Sequence, residues 1–97
     1  MDFKVLIADS AIADLKEIVE FVARDNPEVA LRLGEKILSQ ALRLKTMPQR
    51  FPFHDEARGI RKMPLHPFLI YYVAEEATSV VSILHIWHGA RRAPKFA

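Results

Sequence analysis

The side chains with the chemistry to act on another molecule are mainly cations and imidazoles of the second half of the chain. They are Arg58, Arg61, Lys62, His66, His85, His88, Arg91, Arg92 and Lys95. Several of them on one sheet face would hold a phosphate backbone and stabilise charge at a scissile phosphodiester, while a histidine moves a proton. The alternative for each is a solvated or ion-paired side chain, and for His85, between Leu84 and Ile86, a hydrogen-bonded core histidine.

The charge of the chain is unevenly distributed. The formal net charge is +2, but residues 1–56 carry eight Lys/Arg against ten Asp/Glu, and residues 57–97 carry six against two. A basic half of this kind favours a polyanionic or acidic partner, because the summed charge steers the encounter before any contact forms.

The common catalytic and cofactor signatures are missing from the sequence. It has no glycine-rich phosphate loop, no serine-centred elbow and no paired metal-ligand motif on a helix. His85 and His88 are three residues apart at a strand, where alternation aims them at opposite faces and disfavours a shared metal. We therefore expect no metal and no cofactor.

Cysteine content and hydropathy bear on the compartment. The chain has no cysteine, so it offers neither a disulfide framework nor a thiolate metal site. Its first apolar stretch is too short and too acid-flanked for a signal peptide, and no apolar run approaches the roughly 20 residues that span a bilayer. We expect one soluble, cytoplasmic domain over residues 1–97, without membrane association.

The first part of the chain has the pattern of a strand followed by a helix hairpin. Alternation over residues 3–8 predicts a short strand. Ser10 is the expected N-cap of a first helix over residues 11–24. Asn26-Pro27 ends that helix and opens the next, and the short connection predicts an antiparallel helix hairpin.

The second helix, predicted over residues 27–46, has an apolar arc wider than one helix face. One stripe consists of Ala30, Leu33, Ile37, Ala41 and Leu44, and the other of Leu31, Leu38 and Leu42. This width indicates contact on two sides, one of them with a sheet. For the second stripe, burial within the hairpin is the plainer expectation, and contact with another protein is the functional one.

The second part of the chain has the pattern of a loop and three strands. Residues 47–57 combine prolines and aromatics without a period, which predicts a loop. Strands are expected over residues 58–65, 68–75 and 79–87, the last two as a hairpin. Apolar residues occupy both parities of the last strand, which should therefore be central in the sheet or covered on both faces rather than an exposed edge.

Four aromatic residues are candidates for packing or for binding. Tyr71 and Tyr72 are adjacent on a strand, so they face opposite ways, and one belongs to the core. The other has the shape to stack on a base, although a strand tyrosine more often packs. Trp87 and Phe96 are expected to anchor the last residues of the sequence to the body of the protein.

Together the elements predict an α+β fold in the order β-α-α-β-β-β. An antiparallel helix hairpin packed on a three- to four-stranded, mainly antiparallel sheet buries every apolar stripe at once. Two packed layers of this kind are the usual solution for one-sided helices and sheets.

Several short motifs follow one another in a characteristic order along the chain. They are the first strand with Ser10, Ala13-Asp14-Leu15 with Ile18, Asn26-Pro27, Gly59-Ile60-Arg61, Phe68-Leu69-Ile70-Tyr71-Tyr72, and Ile83-Leu84-His85-Ile86-Trp87-His88-Gly89-Ala90-Arg91. Their order and spacing resemble the ParE/RelE toxin superfamily over essentially the whole chain. The aromatic strand, the hydrophobic strand after it and the His-Gly-Ala-Arg sequence are the most specific part.

The resemblance implies the RelE/ParE-like fold and the toxin of a type II toxin-antitoxin system. Such a toxin is encoded with an antitoxin protein that covers its active surface, and it meets DNA only through the antitoxin. RelE-like members cut messenger RNA in the ribosomal A site, whereas ParE-like members poison DNA gyrase. A third alternative is a degenerate, non-toxic binding module.

In the RelE-like alternative, the resemblance assigns phosphate binding and proton transfer to Arg61, His88 and Arg91. RelE-like enzymes also use a terminal tyrosine, where this sequence has only Phe96, which carries no hydroxyl. This departure and the ending His88-Gly89-Ala90-Arg91 favour the ParE-like branch, a gyrase inhibitor that binds a protein.

The resemblance and the charge pattern together define the expected binding residues. For the target or for nucleic acid they are Arg58, Arg61, Lys62, His88, Arg91, Arg92 and Lys95. For the antitoxin they are Leu31, Leu38 and Leu42.

Overall fold

A computed structural model of the chain describes residues 2–96. In that range the chain forms two α-helices, two short 3-10 turns and one five-stranded sheet. The elements are β1 (Lys4–Ile7), α1 (Asp9–Ala23), α2 (Pro27–Leu42), β2 (Phe53–Asp55), β3 (Ile60–Leu65), β4 (Phe68–Glu75) and β5 (Val80–His88). Within the described range, neither helix has the length and apolar content to cross a bilayer.

The strands are ordered β1-β5-β4-β3-β2, with β1 parallel to β5 and every other neighbour antiparallel. The predicted α+β class and the element order are confirmed, and the last strand lies inside the sheet, between β1 and β4, rather than at an edge. The structure adds the short edge strand β2 within the segment predicted as a loop. Phe53 and Asp55 pair there with β3 across an irregular register, which leaves no periodic pattern for a sequence to show.

The helices differ in detail from the predicted bounds. Helix α1 begins at Asp9, and its N-cap is Ala8, so the prediction that Ser10 caps it is wrong. Ser10 instead donates its hydroxyl to the Leu84 carbonyl of β5 at 2.6 Å. Helix α2 ends at Leu42 and continues as a 3-10 turn, which occupies most of the remaining predicted length.

Asn26 begins α2 as predicted. Its side-chain oxygen accepts a hydrogen bond from the Val29 amide at 3.1 Å, and Pro27 occupies the first turn. This arrangement satisfies one amide that no helical carbonyl reaches, and it places proline where its missing N–H is harmless.

The core lies between the helix hairpin and one face of the sheet. Its buried residues are Ala11, Ile37, Ala41, Leu44, Met63, Phe68, Ile70, Tyr72, Val81, Ile83 and Ile86. The first predicted stripe of α2 supplies Ile37, Ala41 and Leu44, each with 0% of its surface exposed. Burying one side chain of leucine or isoleucine size contributes about 1.5–3 kcal/mol, so this stripe accounts for the attachment of α2 to the sheet.

The second stripe of α2 faces outwards. Leu31 is 64% exposed and Leu42 is 50% exposed, while Leu38 is half-buried. The expectation that the hairpin buries this stripe is wrong for Leu31 and Leu42. Helix α1 packs on another side of α2, where a Cβ added at Gly34 would lie 3.2 Å from Val19 Cγ2.

A β-bulge explains why apolar residues occupy both parities of β5. Tyr71 is opposite His85 but Tyr72 is opposite Ile83, so Leu84 is an extra residue on β5. An extra residue changes the phase of the alternation. Val81 and Ile83 before the bulge and Ile86 after it therefore all reach the same core.

Tyr72 holds the second 3-10 turn, Pro48–Arg50, against the core. Its side chain is fully buried, and its hydroxyl donates a hydrogen bond to the Pro48 carbonyl. Burial raises the pKa of Tyr72 above its ordinary value of 10.0, against the opposing charges of Arg61 and Arg50. Tyr71 is also buried, but it lies outside the core cluster and faces the other side of the sheet, as alternation predicts.

Replacing Tyr72 with phenylalanine should lower the free energy of unfolding by about 1–3 kcal/mol, because it leaves the buried Pro48 carbonyl without a donor. Tyr71→Phe is the matched control, since the Tyr71 hydroxyl has no hydrogen-bond partner among residues 2–96. Urea denaturation followed by circular dichroism compares the two variants. Equal losses in both would contradict the role of the Tyr72 hydroxyl.

Candidate functional site

A carboxylate on α1 joins the helix layer to the edge of β5. Asp14 Oδ2 accepts a hydrogen bond from the Ile86 amide at 3.0 Å and lies 2.7 Å from His85 Nδ1. Strand β1 pairs only with Val80–Ile83 of β5, and Asp14 takes the place of a strand partner beyond that point. The Asp14 and His85 side chains are 16% and 19% exposed, so the contact is largely withdrawn from water.

His85 belongs to a group of rings on the open face of the sheet, the face that points away from the helices. The ring cluster consists of His54, Tyr71, His85, Trp87 and Phe96. Phe96 is at its centre, with ring centroids 5.8 Å from His54, 5.4 Å from Tyr71 and 5.6 Å from His85. These neighbours explain the burial of Tyr71.

Residues after β5 fold back onto this open face as the docked segment, residues 92–96. The Trp87 indole donates to the Arg92 carbonyl at 2.7 Å, and Arg58 Nη1 donates to the Phe96 carbonyl at 3.2 Å. Pro94 is buried. Trp87 and Phe96 are thus the anchors that the sequence predicts.

Arg61 lies on the helix side of the sheet, away from the ring cluster. Arg61 is two residues before Met63, a core residue on the same strand. Side chains two residues apart on a strand lie on the same face of the sheet. Its Nη1 donates to the carbonyls of Gln49 at 2.9 Å and Phe51 at 2.7 Å. Its guanidinium carbon also lies 3.9 Å from the centre of the Phe53 ring, so Arg61 holds the segment between α2 and β3.

The remaining predicted cations lie in two parts of the chain: Arg91, Arg92 and Lys95 follow β5, whereas Arg58 and Lys62 lie just before and on β3. The Arg91 guanidinium carbon lies 4.3 Å from the centre of the Trp87 ring. Arg92 and Lys95 are exposed, and Lys62 is half-buried on β3. Arg58 binds the docked segment.

The histidines are spread over different environments. His88 Nδ1 accepts from the Ala90 amide at 3.1 Å, and the His88 ring centroid lies 5.7 Å from that of Phe68. Phe68 is a core residue, so His88 faces the helix side and His85 the open side, as alternation predicts. His66 is exposed in the turn between β3 and β4.

The structure does not bring Arg61 close to His88 and Arg91. Arg61 is opposite Tyr72, whereas His88 is opposite Phe68, four residues away along β4. Four residues of strand span about 13 Å, and β4 itself separates β3 from β5. The proposed ribonuclease residues therefore do not share one position on the sheet.

The structure has a second exposed apolar surface, which the sequence did not predict. It is a groove of ≈ 680 Å³ between α1 and the end of β5, lined among others by Phe21, Leu33, Phe68, His88 and Arg91. Phe21 is 67% exposed. In the sequence, the one indication of this surface is that Phe21 lies in α1 but outside the apolar stripe of Leu15, Ile18 and Val22.

Comparison with known proteins agrees with the fold. The sequence model of one protein family, described as the ParE toxin of the type II toxin-antitoxin system parDE, matches residues 5–93. A solved structure titled "Chromosomal ParDE TA system from P. aeruginosa" contains a chain 26% identical, with 89% of this chain and 95% of that one covered and a TM-score of 0.75. A chain of the RelBE2 toxin-antitoxin complex of Mycobacterium tuberculosis is 20% identical, with coverage of 91% and 99% and a TM-score of 0.69. No curated protein sequence matches.

Removing the Asp14 carboxylate should loosen α1 from β5. In Asp14→Ala the Ile86 amide and the His85 imidazole lose a charged acceptor, and we expect the free energy of unfolding to fall by about 1.5–3 kcal/mol. Asp14→Asn keeps one acceptor oxygen and should lose less. The measurements are urea denaturation and hydrogen exchange of the Ile86 amide.

Glu17→Ala is the control for this prediction, because Glu17 is an exposed carboxylate on the same helix. A surface change of this kind should stay within about 0.5 kcal/mol. Unchanged exchange of the Ile86 amide in Asp14→Ala would show that the carboxylate does not hold the strand.

Proposed function

This chain belongs to the ParE toxin family of type II toxin-antitoxin systems, and from that premise we propose that it inhibits DNA gyrase by binding it, unless an antitoxin covers it. The family match over residues 5–93 carries the proposal. The likeness to a chain of a chromosomal ParDE system at 26% identity supports it. The inhibitor would act in the cytoplasm, where gyrase meets chromosomal DNA.

The placement of the cations supports binding rather than catalysis. Cleavage of RNA requires acid, base and charge-stabilising groups within hydrogen-bond reach of one phosphodiester. Arg61 is engaged by two backbone carbonyls, and its row of the sheet is about 13 Å from that of His88. Phe96 contributes a ring but no hydroxyl. These observations count against the ribonuclease alternative for this chain.

The proposed gyrase contact is the exposed end of β5 with the residues that follow it. Arg91 lies over the Trp87 ring, and Arg92 beside it is exposed. Arginine and tryptophan are the residue types that most often dominate the binding energy of protein interfaces. A cationic patch also steers association with an acidic partner.

The purified chain should inhibit supercoiling by gyrase, and Arg91→Glu should raise the concentration for half-inhibition at least ~10-fold, since loss of a dominant interface residue costs 2 kcal/mol or more. Arg32→Glu is the control, because Arg32 is an exposed cation on α2, in the other layer. Supercoiling that persists at a large molar excess of chain would contradict gyrase inhibition.

The other two alternatives, a ribonuclease and a non-toxic binding module, are tested in parallel with the gyrase assay. Toe-printing of message on ribosomes would show A-site cuts if the chain were a ribonuclease. Expression without a partner that leaves growth, supercoiling and message unaffected would indicate a non-toxic binding module.

The proposed antitoxin contact is the outward stripe of α2. Leu31 and Leu42 are largely exposed, and with Leu38 they lie on one side of the helix. An amphipathic antitoxin helix would cover such a stripe with its own apolar face. The antitoxin should be acidic where it meets residues 57–97, because that half carries six Lys/Arg against two Asp/Glu.

Leu31→Asp combined with Leu42→Asp should weaken binding of the antitoxin encoded beside this chain at least ~100-fold, about 2.8 kcal/mol, because a carboxylate would be buried without a partner. Titration calorimetry measures the change. Met47→Asp is the control, since Met47 is 72% exposed and lies outside the stripe. Loss of binding in Phe21→Asp but not in the double variant would move the contact to the groove at Phe21.

A further inference from the structure

The docked segment is attached to the open face in the manner of a separate peptide. Among the described residues, the backbone-to-backbone hydrogen bonds along this part of the chain end with Arg91, whose amide donates to His88. Beyond it, side chains hold the segment: Trp87 through the Arg92 carbonyl, Arg58 through the Phe96 carbonyl, and the rings around Phe96. Segments with few backbone hydrogen bonds are the first to open locally.

The floor beneath the docked segment is a small apolar surface outside the main core. Ile60 and Tyr71 are only 3% exposed each, although neither belongs to the core between sheet and helices. Strand alternation places Ile60, Tyr71 and Val73 on the open face. Their burial there depends on what covers them.

The docked segment only partly fills this floor. A cleft of ≈ 370 Å³ remains beside Phe96, with Ile60, Val73 and Leu84 below it and Ser10, Arg58 and Lys95 at its rim. A ring larger than phenyl has space to extend into the cleft, and it would gain the apolar burial that Phe96 leaves unused.

We propose that this cleft is a docking site for an extended peptide of the form Pro-X-aromatic, which the docked segment occupies in cis and which a partner protein can occupy in its place. The recognition elements are visible in the cis occupant. Pro94 is buried, Lys95 is exposed at the rim of the cleft, and Phe96 inserts its ring among His54, Tyr71 and His85. Arg58 takes the main-chain carbonyl of the aromatic residue.

The ring geometry favours an aromatic side chain over a nucleic-acid base. The Phe96 ring meets Tyr71 at 63° and His85 at 70°, which are edge-to-face arrangements typical of packed side chains. Bases bind proteins by parallel stacking on aromatic faces. The hydrogen bonds that Trp87 and Arg58 donate to the occupant are both to peptide carbonyls.

A peptide ligand must compete with the docked segment, whose effective concentration is of millimolar order for a short connection. A weakly binding peptide is therefore excluded from the wild-type protein. A ligand with tryptophan at the aromatic position should compete best, because it fills the cleft beside Phe96.

The test uses the full-length chain with Phe96→Ala and a fluorescein-labelled peptide Gly-Ala-Arg-Arg-Ala-Pro-Lys-Phe, which has the sequence of residues 89–96. Fluorescence anisotropy should show saturable binding at least ~10-fold tighter than to the wild-type chain, which keeps its cis occupant. Replacing the peptide's phenylalanine by alanine should weaken binding at least ~10-fold, and replacing it by tryptophan should strengthen it.

The matched control on the protein is His54→Ala, combined with Phe96→Ala. His54 is exposed on the edge strand β2, so its removal spares the core while removing one wall of the site. Weaker peptide binding is expected. If Phe96→Ala fails to fold, nuclear magnetic resonance of the wild-type chain replaces it, with millimolar tryptophan peptide shifting the His54 and His85 ring signals.

Three outcomes would overturn the proposal. Equal binding of the alanine and phenylalanine peptides would mean that the basic residues bind without the ring. Ring signals of His54 and His85 that do not move at millimolar peptide would mean that the site does not exchange its occupant. A single-stranded RNA octamer that binds the Phe96→Ala chain more tightly than the peptide would assign the cleft to nucleic acid.

Discussion

The fold depends on how the unpaired edge of β5 is satisfied. β5 is the longest strand and lies inside the sheet, between β1 and β4, but β1 pairs with only its first part. Ser10 and Asp14 lie one helical turn apart; Ser10 supplies the missing donor to the Leu84 carbonyl, and Asp14 supplies the missing acceptor to the Ile86 amide. Because an unpaired backbone group away from water costs free energy comparable to a lost hydrogen bond, these two side chains determine where α1 lies. Asp14 also orients His85, so the same contact shapes the ring cluster on the open face.

Much of the architecture followed from periodicity, and the rest did not for physical reasons. Helical and strand patterns located both helices, four of the strands and the buried stripe of α2. The three-residue strand β2 is too short to show alternation. The bulge at Leu84 depends on how β5 pairs with β4, which the residue pattern of one strand does not show. The exposure of Leu31 depends on where α1 packs along α2, at Gly34 and Val19. The residue pattern of one helix does not show where a second helix will pack against it.

In the candidate site, too, some features could be predicted from the sequence and others could not. The sequence shows which residues carry positive charge, but their grouping in space depends on contacts between distant segments. Arg61 is held by the carbonyls of Gln49 and Phe51, and main-chain acceptors leave no trace in residue types. The anchoring role of Trp87 and Phe96 was accessible, because large aromatics near the last residues need a surface to cover. The rings that contact Phe96, by contrast, include His54 of β2, the strand that the sequence pattern did not predict.

The parallel pairing of β1 with β5 has a kinetic consequence. Lys4 pairs with Val80, so the sheet closes a loop that contains both helices and every other strand. Pairings of such high sequence separation are slow to form, since the loop entropy is lost before the contacts are gained. During synthesis, at about 5–20 residues per second, β1 and the hairpin emerge well before the strand that completes them. The sheet is therefore incomplete until residues 80–83 have left the ribosome, and the core lacks Val81, Ile83 and Ile86 throughout that interval.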